Sequence, residues 1–293
     1  MTRRPNPLRK LFPAQGEGAA PLDWPNESAD RGYTIFFTGR CGSTELVSLL
    51  TQSAICGAPD EYFNEEFIPQ HNAEWRCDQV SDYAVNLIRN RSAGRVFGFK
   101  IDGLRHRRLA DLIDPMLFFP KSVFKYVYMN RRNLLEQAYS YAYAKRSGVW
   151  HRARDAGEEP EEPVEIPDAS IWREIALILA QEFYFERYFV KNSLSVLRID
   201  YEMFCTSKAM VVADVMLAIG CELAKVETTV KGLRENFRKT RYGTDKSLRL
   251  VAFRHKYGEQ LAYVAAHRGR LRSLSIRNHL NAQTGTNLFA EGR

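Results

Sequence analysis

Short apolar runs, rich in β-branched and aromatic residues, recur along the chain and predict strands, the first of them buried on both faces. They are residues 33–38 (YTIFFT), 96–101 (VFGFKI), 123–129 (VFKYVYM) and 194–199 (LSVLRI). Helical patterning separates or follows these runs at residues 105–114, 132–146 and 169–190. Strands that alternate with helices indicate a parallel sheet covered on both faces. We therefore predict an α/β fold, a three-layer sandwich with a central parallel sheet.

A glycine-containing loop connects the first predicted strand to a helix. Its residues are Gly39, Arg40, Cys41, Gly42, Ser43 and Thr44. Backbone N–H groups and the positive end of the helix converge at such a loop, so we predict an anion site resembling a P-loop. The glycines permit close approach of a ligand, the hydroxyl groups donate hydrogen bonds, and the arginine adds a planar charge. A plain strand-to-helix turn capped by Ser43 is the structural alternative.

The loop differs from the site that binds ATP or GTP in nucleotide triphosphatases. That site has the pattern Gly-x4-Gly-Lys-[Ser/Thr], whereas this loop is shorter and has Gly42 in place of the lysine. The difference disfavours an ATP-dependent small-molecule kinase, which we keep as an alternative. A nucleotide-binding module without catalytic activity is a second alternative.

Length and composition indicate one large domain. No linker rich in proline, glycine or serine divides the 293 residues into two self-sufficient halves. We predict a flexible basic segment at 1–30, a domain at 31–267 and a tail of uncertain order at 268–293. Prolines and carboxylates at 154–168 predict an exposed loop.

Charge and cysteine content restrict the partners. A net charge of +7 favours anionic ligands but is too small for this length to indicate nucleic acid. The five cysteines include no Cys-x-x-Cys pair, so neither a metal site nor a disulfide framework is indicated. Without a signal peptide or an apolar span, we predict a cytoplasmic protein. The basic N-terminus also suits peripheral contact with an anionic membrane, although two prolines disfavour it.

Several motifs resemble those of a known enzyme family. Residues 40–46 (RCGSTEL) are similar to the Arg-Ser-Gly-Ser-Thr-x-Leu loop of bacterial carbohydrate sulfotransferases, especially the trehalose 2-sulfotransferase family. Further similar segments follow in order: 57–63 (GAPDEYF), 97–100 (FGFK), 131–140 (RRNLLEQAYS), 149–152 (VWHR) and 200–202 (DYE). Cys41 and Tyr62 depart from the usual serine and phenylalanine. Residues 64–91 are hard to match, which puts the acceptor in doubt.

The resemblance implies a reaction and the residues that perform it. The donor is 3′-phosphoadenosine 5′-phosphosulfate (PAPS), the acceptor is a hydroxyl of a carbohydrate or glycolipid such as trehalose or lipopolysaccharide, and the protein is a homodimer. Arg131 and Ser140 hold the 3′-phosphate, while the glycine loop holds the 5′ end. Glu61 is the general base, with Asp60 or His151 as alternatives.

The chemistry of sulfuryl transfer suggests further roles. Arg40 is expected to stabilise charge on the bridging oxygen, and Lys100 either contacts the sulfuryl oxygens or reaches solvent. Trp150 and His151 are expected to bind the acceptor. A free glutamate has a pKa of about 4.3, and we expect burial to raise the pKa of Glu61 towards the working pH. No metal is required.

Overall fold

The structure, a computed structural model, describes residues 5–16, 21–150, 164–235, 245–269 and 273–284. The chain divides into two compact units. The sheet unit comprises Met1–Phe37, Gly42–Asn130 and Asn192–Arg234; the helical unit comprises Thr38–Cys41, Arg131–Lys191 and Glu235–Arg293. The domain limits inferred from the sequence stay a prediction.

The sheet unit contains four strands. They are β1 (Arg31–Phe37), β2 (Val96–Asp102), β3 (Phe124–Asn130) and β4 (Val196–Asp200). All neighbouring pairs are parallel, in the order β2-β1-β3-β4. The four predicted strands correspond to these four, with bounds that differ by at most two residues. The predicted α/β fold with a central parallel sheet is confirmed.

The strand order creates a topological switch point beside β1. The chain proceeds from β1 to β2 on one side and then to β3 on the other. Phe37, at the carboxyl end of β1, pairs with Asp102 of β2 and Met129 of β3. Ligands of open α/β sheets bind outside the carboxyl ends of strands at such points. The glycine loop follows β1 directly.

Helices precede, connect and follow the strands. In chain order they are α1 (Leu8–Leu11), α2 (Ser43–Gln52), α3 (Ile68–His71), α4 (Val80–Arg91), α5 (Gly103–Ala110), α6 (Pro115–Phe118), α7 (Leu134–Ser147), α8 (Asp168–Lys191), α9 (Tyr201–Thr206), α10 (Lys208–Ala218), α11 (Leu223–Val230), α12 (Asp245–His267) and α13 (Ser273–Thr284). Of the helices that the structure describes, none combines the length and the apolar character needed to cross a membrane.

Parts of both predicted terminal segments are packed. In the sheet unit, Leu8 and Phe12 are buried, and the Phe12 ring lies 5.4 Å from that of Tyr83. In the helical unit, Ile276 and Leu280 of α13 belong to a hydrophobic core built mainly on α7, α8 and α12. Burial of these apolar side chains stabilises the packed parts of both segments. The polar composition of the segments did not predict this packing.

Gly98 on β2 provides a test of side-chain packing against the sheet. A Cβ atom at Gly98 would lie 2.3 Å from Cζ of the fully buried Tyr33. We expect Gly98→Ala to lower the free energy of unfolding by about 1–3 kcal/mol, measured by urea denaturation. Gly258→Ala in α12 is the control, because a Cβ there meets no atom within 4 Å. An unchanged urea midpoint for Gly98→Ala would contradict this packing.

Candidate functional site

The start of α2 has the backbone geometry of an anion-binding turn. Gly42 precedes the helix with φ 88°, and Arg40 also has a positive φ of 66°. Ser43 is the first helical residue and Gly42 is the N-cap, so the expected capping by Ser43 is wrong, whereas a plain strand-to-helix turn stays an alternative. Gly42 has no side chain to accept hydrogen bonds from the first-turn N–H groups, which suits an anionic acceptor there.

Contacts on both halves of the loop require glycine. In the helical unit, a Cβ at Gly39 would lie 2.7 Å from the Tyr141 ring. The fully buried Gln137 donates from Nε2 to Thr38 Oγ1 and to the Gly39 carbonyl, both at 2.8 Å. Gln137 thereby holds the first part of the loop.

In the sheet unit, Gly42 is similarly restricted. A Cβ on Gly42 would lie 2.7 Å from Cδ2 of Tyr201, the first residue of α9. Its positive φ also favours glycine over any residue with a side chain.

A chain of polar contacts in the sheet unit joins three predicted site residues. Lys100, on β2, has only 3% of its surface exposed. Its Nζ donates to Thr44 Oγ1 at 3.1 Å and lies 3.0 Å from Glu61 Oε1. The alternative that Lys100 reaches solvent is therefore wrong, and a buried cation lies beside the start of α2.

The segment carrying Glu61 is anchored by its neighbours. Tyr62 and Phe63 are buried, and the Lys100 backbone N–H donates to the Asp60 carbonyl at 3.0 Å. Asn64, which is 5% exposed, donates from Nδ2 to Glu61 Oε2 at 3.0 Å. Each oxygen of the Glu61 carboxylate thus has its own partner.

The pKa of Glu61 moves opposite to the sequence-based expectation. Burial raises the pKa of this carboxyl, but the charge and hydrogen bond of Lys100, the hydrogen bond of Asn64 and the charge of Arg105 together lower it below its ordinary value. Opposite charge at short range outweighs desolvation here. Glu61 is therefore ionised at neutral pH and able to accept a proton.

The alternative bases have different environments. Asp60 is exposed, and its Oδ1 accepts a hydrogen bond from the Glu61 N–H at 2.8 Å. His106, a histidine of the sheet unit that is not among the candidate bases, is buried, and desolvation lowers the pKa of its imidazole to about 3, so it is neutral at physiological pH. His151 lies outside the described residues.

The helical unit brings together further predicted residues. Arg40 Nε donates to Ser140 Oγ at 3.0 Å, and the Arg40 guanidinium also donates to the Trp150 carbonyl. Arg131, which is 9% exposed, donates from Nη2 to Glu136 Oε2 at 2.7 Å. These basic groups are already engaged with polar partners that an anionic ligand would have to replace or join.

The aromatic side chains on α7 and just after it differ in exposure. Tyr139, Tyr141 and Tyr143 are buried, whereas 43% of the Trp150 surface is exposed. The Trp150 and Tyr141 rings meet edge to face at 5.9 Å. Of these aromatic side chains, Trp150 is therefore the accessible one.

Sequence reasoning missed the residues that support the site. Gln137 lies within the segment that carried the family resemblance, but its contacts depend on the folded loop. Asn64 and Arg105 had no local signal, because Asn64 belongs to a stretch that is hard to match and Arg105 is one of several basic residues in its helix. Within the described residues, no group of three or more His, Cys, Asp or Glu side chains is arranged to hold a metal ion.

Residues 118–240 match the family model described as Stf0 sulphotransferase, and this match supports a sulfotransferase. A sulfotransferase structure from Alicyclobacillus acidocaldarius aligns at 15% identity and TM-score 0.44, covering 88% of this chain and 97% of that one. Retinol dehydratase, solved with androsterone and the inactive cofactor PAP, aligns at 12% identity and TM-score 0.44, covering 84% of each chain. The sulfotransferase domain of the Synechococcus PCC 7002 olefin synthase aligns at 10% identity and TM-score 0.35, covering 81% of this chain and 98% of that one. No curated protein matches the chain significantly.

Proposed function

We propose that this sulfotransferase moves a sulfuryl group from PAPS to a hydroxyl of a carbohydrate or glycolipid. The observation that carries the proposal is the contact between the buried Lys100 and both Thr44 and Glu61. It joins a residue of the glycine loop, a cation and a carboxylate in one cluster. Sulfuryl transfer needs these three elements: an anion-binding turn, charge stabilisation and a proton acceptor.

The reaction is an in-line displacement at sulfur. The acceptor hydroxyl oxygen attacks the sulfur atom and the bond from sulfur to the bridging oxygen breaks, which leaves adenosine 3′,5′-bisphosphate. The hydroxyl proton passes to the Glu61 carboxylate. Lys100 stabilises the sulfuryl oxygens, and Arg40 stabilises the charge that develops on the leaving phosphate. Cationic side chains and N–H groups perform the charge stabilisation in this scheme.

The two phosphate groups of the donor have separate proposed contacts. Backbone N–H groups from Gly39 to Thr44 bind the 5′ end, as expected at a helix N-terminus. Arg131 and Ser140 bind the 3′-phosphate. Both are on or beside α7, and the Arg131 pair with Glu136 supports the role by holding a guanidinium in a fixed orientation before the ligand arrives.

Donor binding also prepares the base. An anionic donor competes with Glu61 for the Lys100 ammonium, because both are negatively charged acceptors. As Lys100 shifts towards the donor, the strongest influence that lowers the pKa of Glu61 weakens while burial still raises it. Glu61 is then a stronger base in the complex than in the free protein.

For the acceptor we propose a sugar ring at Trp150, with His151 as a polar contact. The exposed indole offers the flat apolar face on which sugar rings pack. Trehalose and lipopolysaccharide sugars are both suitable chemically. Radiolabelled PAPS incubated with trehalose, other soluble glycans and a glycolipid extract would identify the class. Donor binding without transfer to any member would instead favour a non-catalytic module.

Donor recognition gives a prediction that does not require the acceptor. We expect adenosine 3′,5′-bisphosphate to raise the melting temperature without Mg²⁺, and ATP to raise it only weakly. Arg131→Ala should weaken bisphosphate binding by about 10–100-fold, because a charged hydrogen bond contributes roughly 1.5–3 kcal/mol. The measurements are thermal denaturation and titration calorimetry.

The neighbouring Arg132→Ala is the matched control, since the Arg132 side chain is exposed. It should bind the bisphosphate nearly as the unmodified protein does. Stabilisation by ATP with Mg²⁺ alone would exclude PAPS as the donor and favour the kinase alternative. Equal effects of the two substitutions would remove Arg131 from the proposed phosphate site.

A further inference from the structure

Two cysteines that are distant in sequence lie together in the sheet unit. The Sγ atoms of Cys56 and Cys221 are 3.8 Å apart and share a hydrogen bond, although 165 positions separate them. Cys56 follows α2, and Cys221 follows α10. Both are free thiols.

The backbone on each side holds the two thiols in place. The Tyr33 hydroxyl donates to the Cys56 carbonyl at 2.9 Å. The Cys221 N–H donates to the Met216 carbonyl at 2.9 Å, and Arg31 donates to the Gly220 carbonyl. A disulfide bond is about 2.05 Å long. The sulfur atoms already lie 3.8 Å apart, so a disulfide requires them to approach by about 1.8 Å.

The two thiols differ in accessibility and in reactivity. Cys56 is buried, whereas Cys221 is partly exposed. The hydrogen bond from Cys56, opposed by burial and assisted by the charges of Arg31 and Lys225, lowers the pKa of Cys221 to about 7. The same hydrogen bond and burial raise the pKa of Cys56. The reactive thiolate is therefore the one that a small oxidant reaches.

We propose that Cys56 and Cys221 form a reversible oxidation site at which a hydroperoxide converts the two thiols into a disulfide. The Cys221 thiolate attacks one peroxide oxygen, the O–O bond breaks, and the departing oxygen takes up a proton as water or alcohol. The Cys56 sulfur then loses its proton and attacks the sulfenic acid sulfur of Cys221. The S–O bond breaks and water leaves. Two electrons pass from the thiols to the peroxide, and a dithiol reductant reverses the change.

The disulfide would tie the turn after α2 to the turn after α10. Such a crosslink restricts the unfolded chain across a long loop, so we expect oxidation to raise the melting temperature by about 5–10 °C. The proposal does not depend on sulfuryl transfer, since the site is defined by its own contacts.

Peptide mapping of the full-length protein tests the site. After treatment with hydrogen peroxide, alkylation and non-reducing digestion, the peptides that contain Cys56 and Cys221 should be linked. The intact mass should fall by two hydrogens and recover with dithiothreitol. Cys221→Ser should abolish the link, whereas Cys205→Ser, which replaces another partly exposed cysteine, should retain it.

Alkylation kinetics provide a second measurement. In Cys56→Ala, which removes the hydrogen-bond donor, Cys221 should react with iodoacetamide at pH 7 about fivefold more slowly, because its pKa returns towards the ordinary value while its nucleophilicity partly compensates. If this variant does not fold, peptide mapping of the peroxide-treated unmodified protein still tests whether the disulfide forms. Peroxide-treated protein in which both cysteines remain alkylatable would overturn the proposal. Conversion of Cys221 to a sulfinic acid without a crosslink would overturn it as well.

Discussion

Glu61→Gln is expected to reduce the turnover number of sulfuryl transfer by ~10²–10⁴ while donor affinity stays nearly unchanged. Glutamine has the shape of glutamate and keeps an oxygen acceptor for Asn64, but its amide cannot take the proton of the acceptor hydroxyl. Loss confined to turnover would mean that the carboxylate acts in the transition state. Rates with radiolabelled PAPS and the best acceptor of the unmodified protein supply the measurement.

Asp60→Asn is the matched control for Glu61→Gln. Asp60 is the adjacent carboxylate and is exposed, so its replacement should change the turnover number little. A large loss in Asp60→Asn with full activity in Glu61→Gln would transfer the role of base to Asp60. Calorimetry with adenosine 3′,5′-bisphosphate would verify that the Glu61 variant still binds the donor product.

Lys100→Met should lower the turnover number by ~10²–10³, the loss expected when one group that stabilises developing charge is removed. Methionine fills similar space without the ammonium. Because Lys100 is buried between Thr44 and Glu61, its charge acts with little screening by water. Lys125→Met, which replaces an exposed lysine on β3, is the control and should retain the turnover number.

Lys100→Met should also shift the acidic limb of the pH–rate profile to higher pH. In the proposed reaction Glu61 accepts a proton only when ionised, so we expect activity to fall as the pH drops through its pKa. Lys100 lowers that pKa, and its removal leaves the opposing effect of burial. The limb of Lys100→Met should therefore lie at higher pH than that of the unmodified protein. A lowered rate with an unmoved limb would show that Lys100 does not control the charge of Glu61.

Most strands of the fold could be predicted from local patterns of apolar residues. The strands β1, β2 and β3 are largely apolar and buried, which is typical of a parallel sheet, whereas β4 is only partly buried. The strand-to-helix turn at Gly39–Thr44 was equally predictable, because glycine permits the positive φ that such a turn requires, as Gly42 shows. The packed helices near both termini were not predicted, since their burial depends on distant partners such as Tyr83 for Phe12.

Local patterns along the chain were thus enough for the sheet and the glycine turn, and the family resemblance supplied the candidate carboxylate. The charge state of that carboxylate was decided only in three dimensions. Tyr62 and Phe63 suggested a raised pKa for Glu61, but folding places Lys100 3.0 Å from its Oε1, and attraction at that distance outweighs desolvation. The pairing of Cys56 with Cys221 has the same origin, because contacts between distant residues have no trace in local sequence.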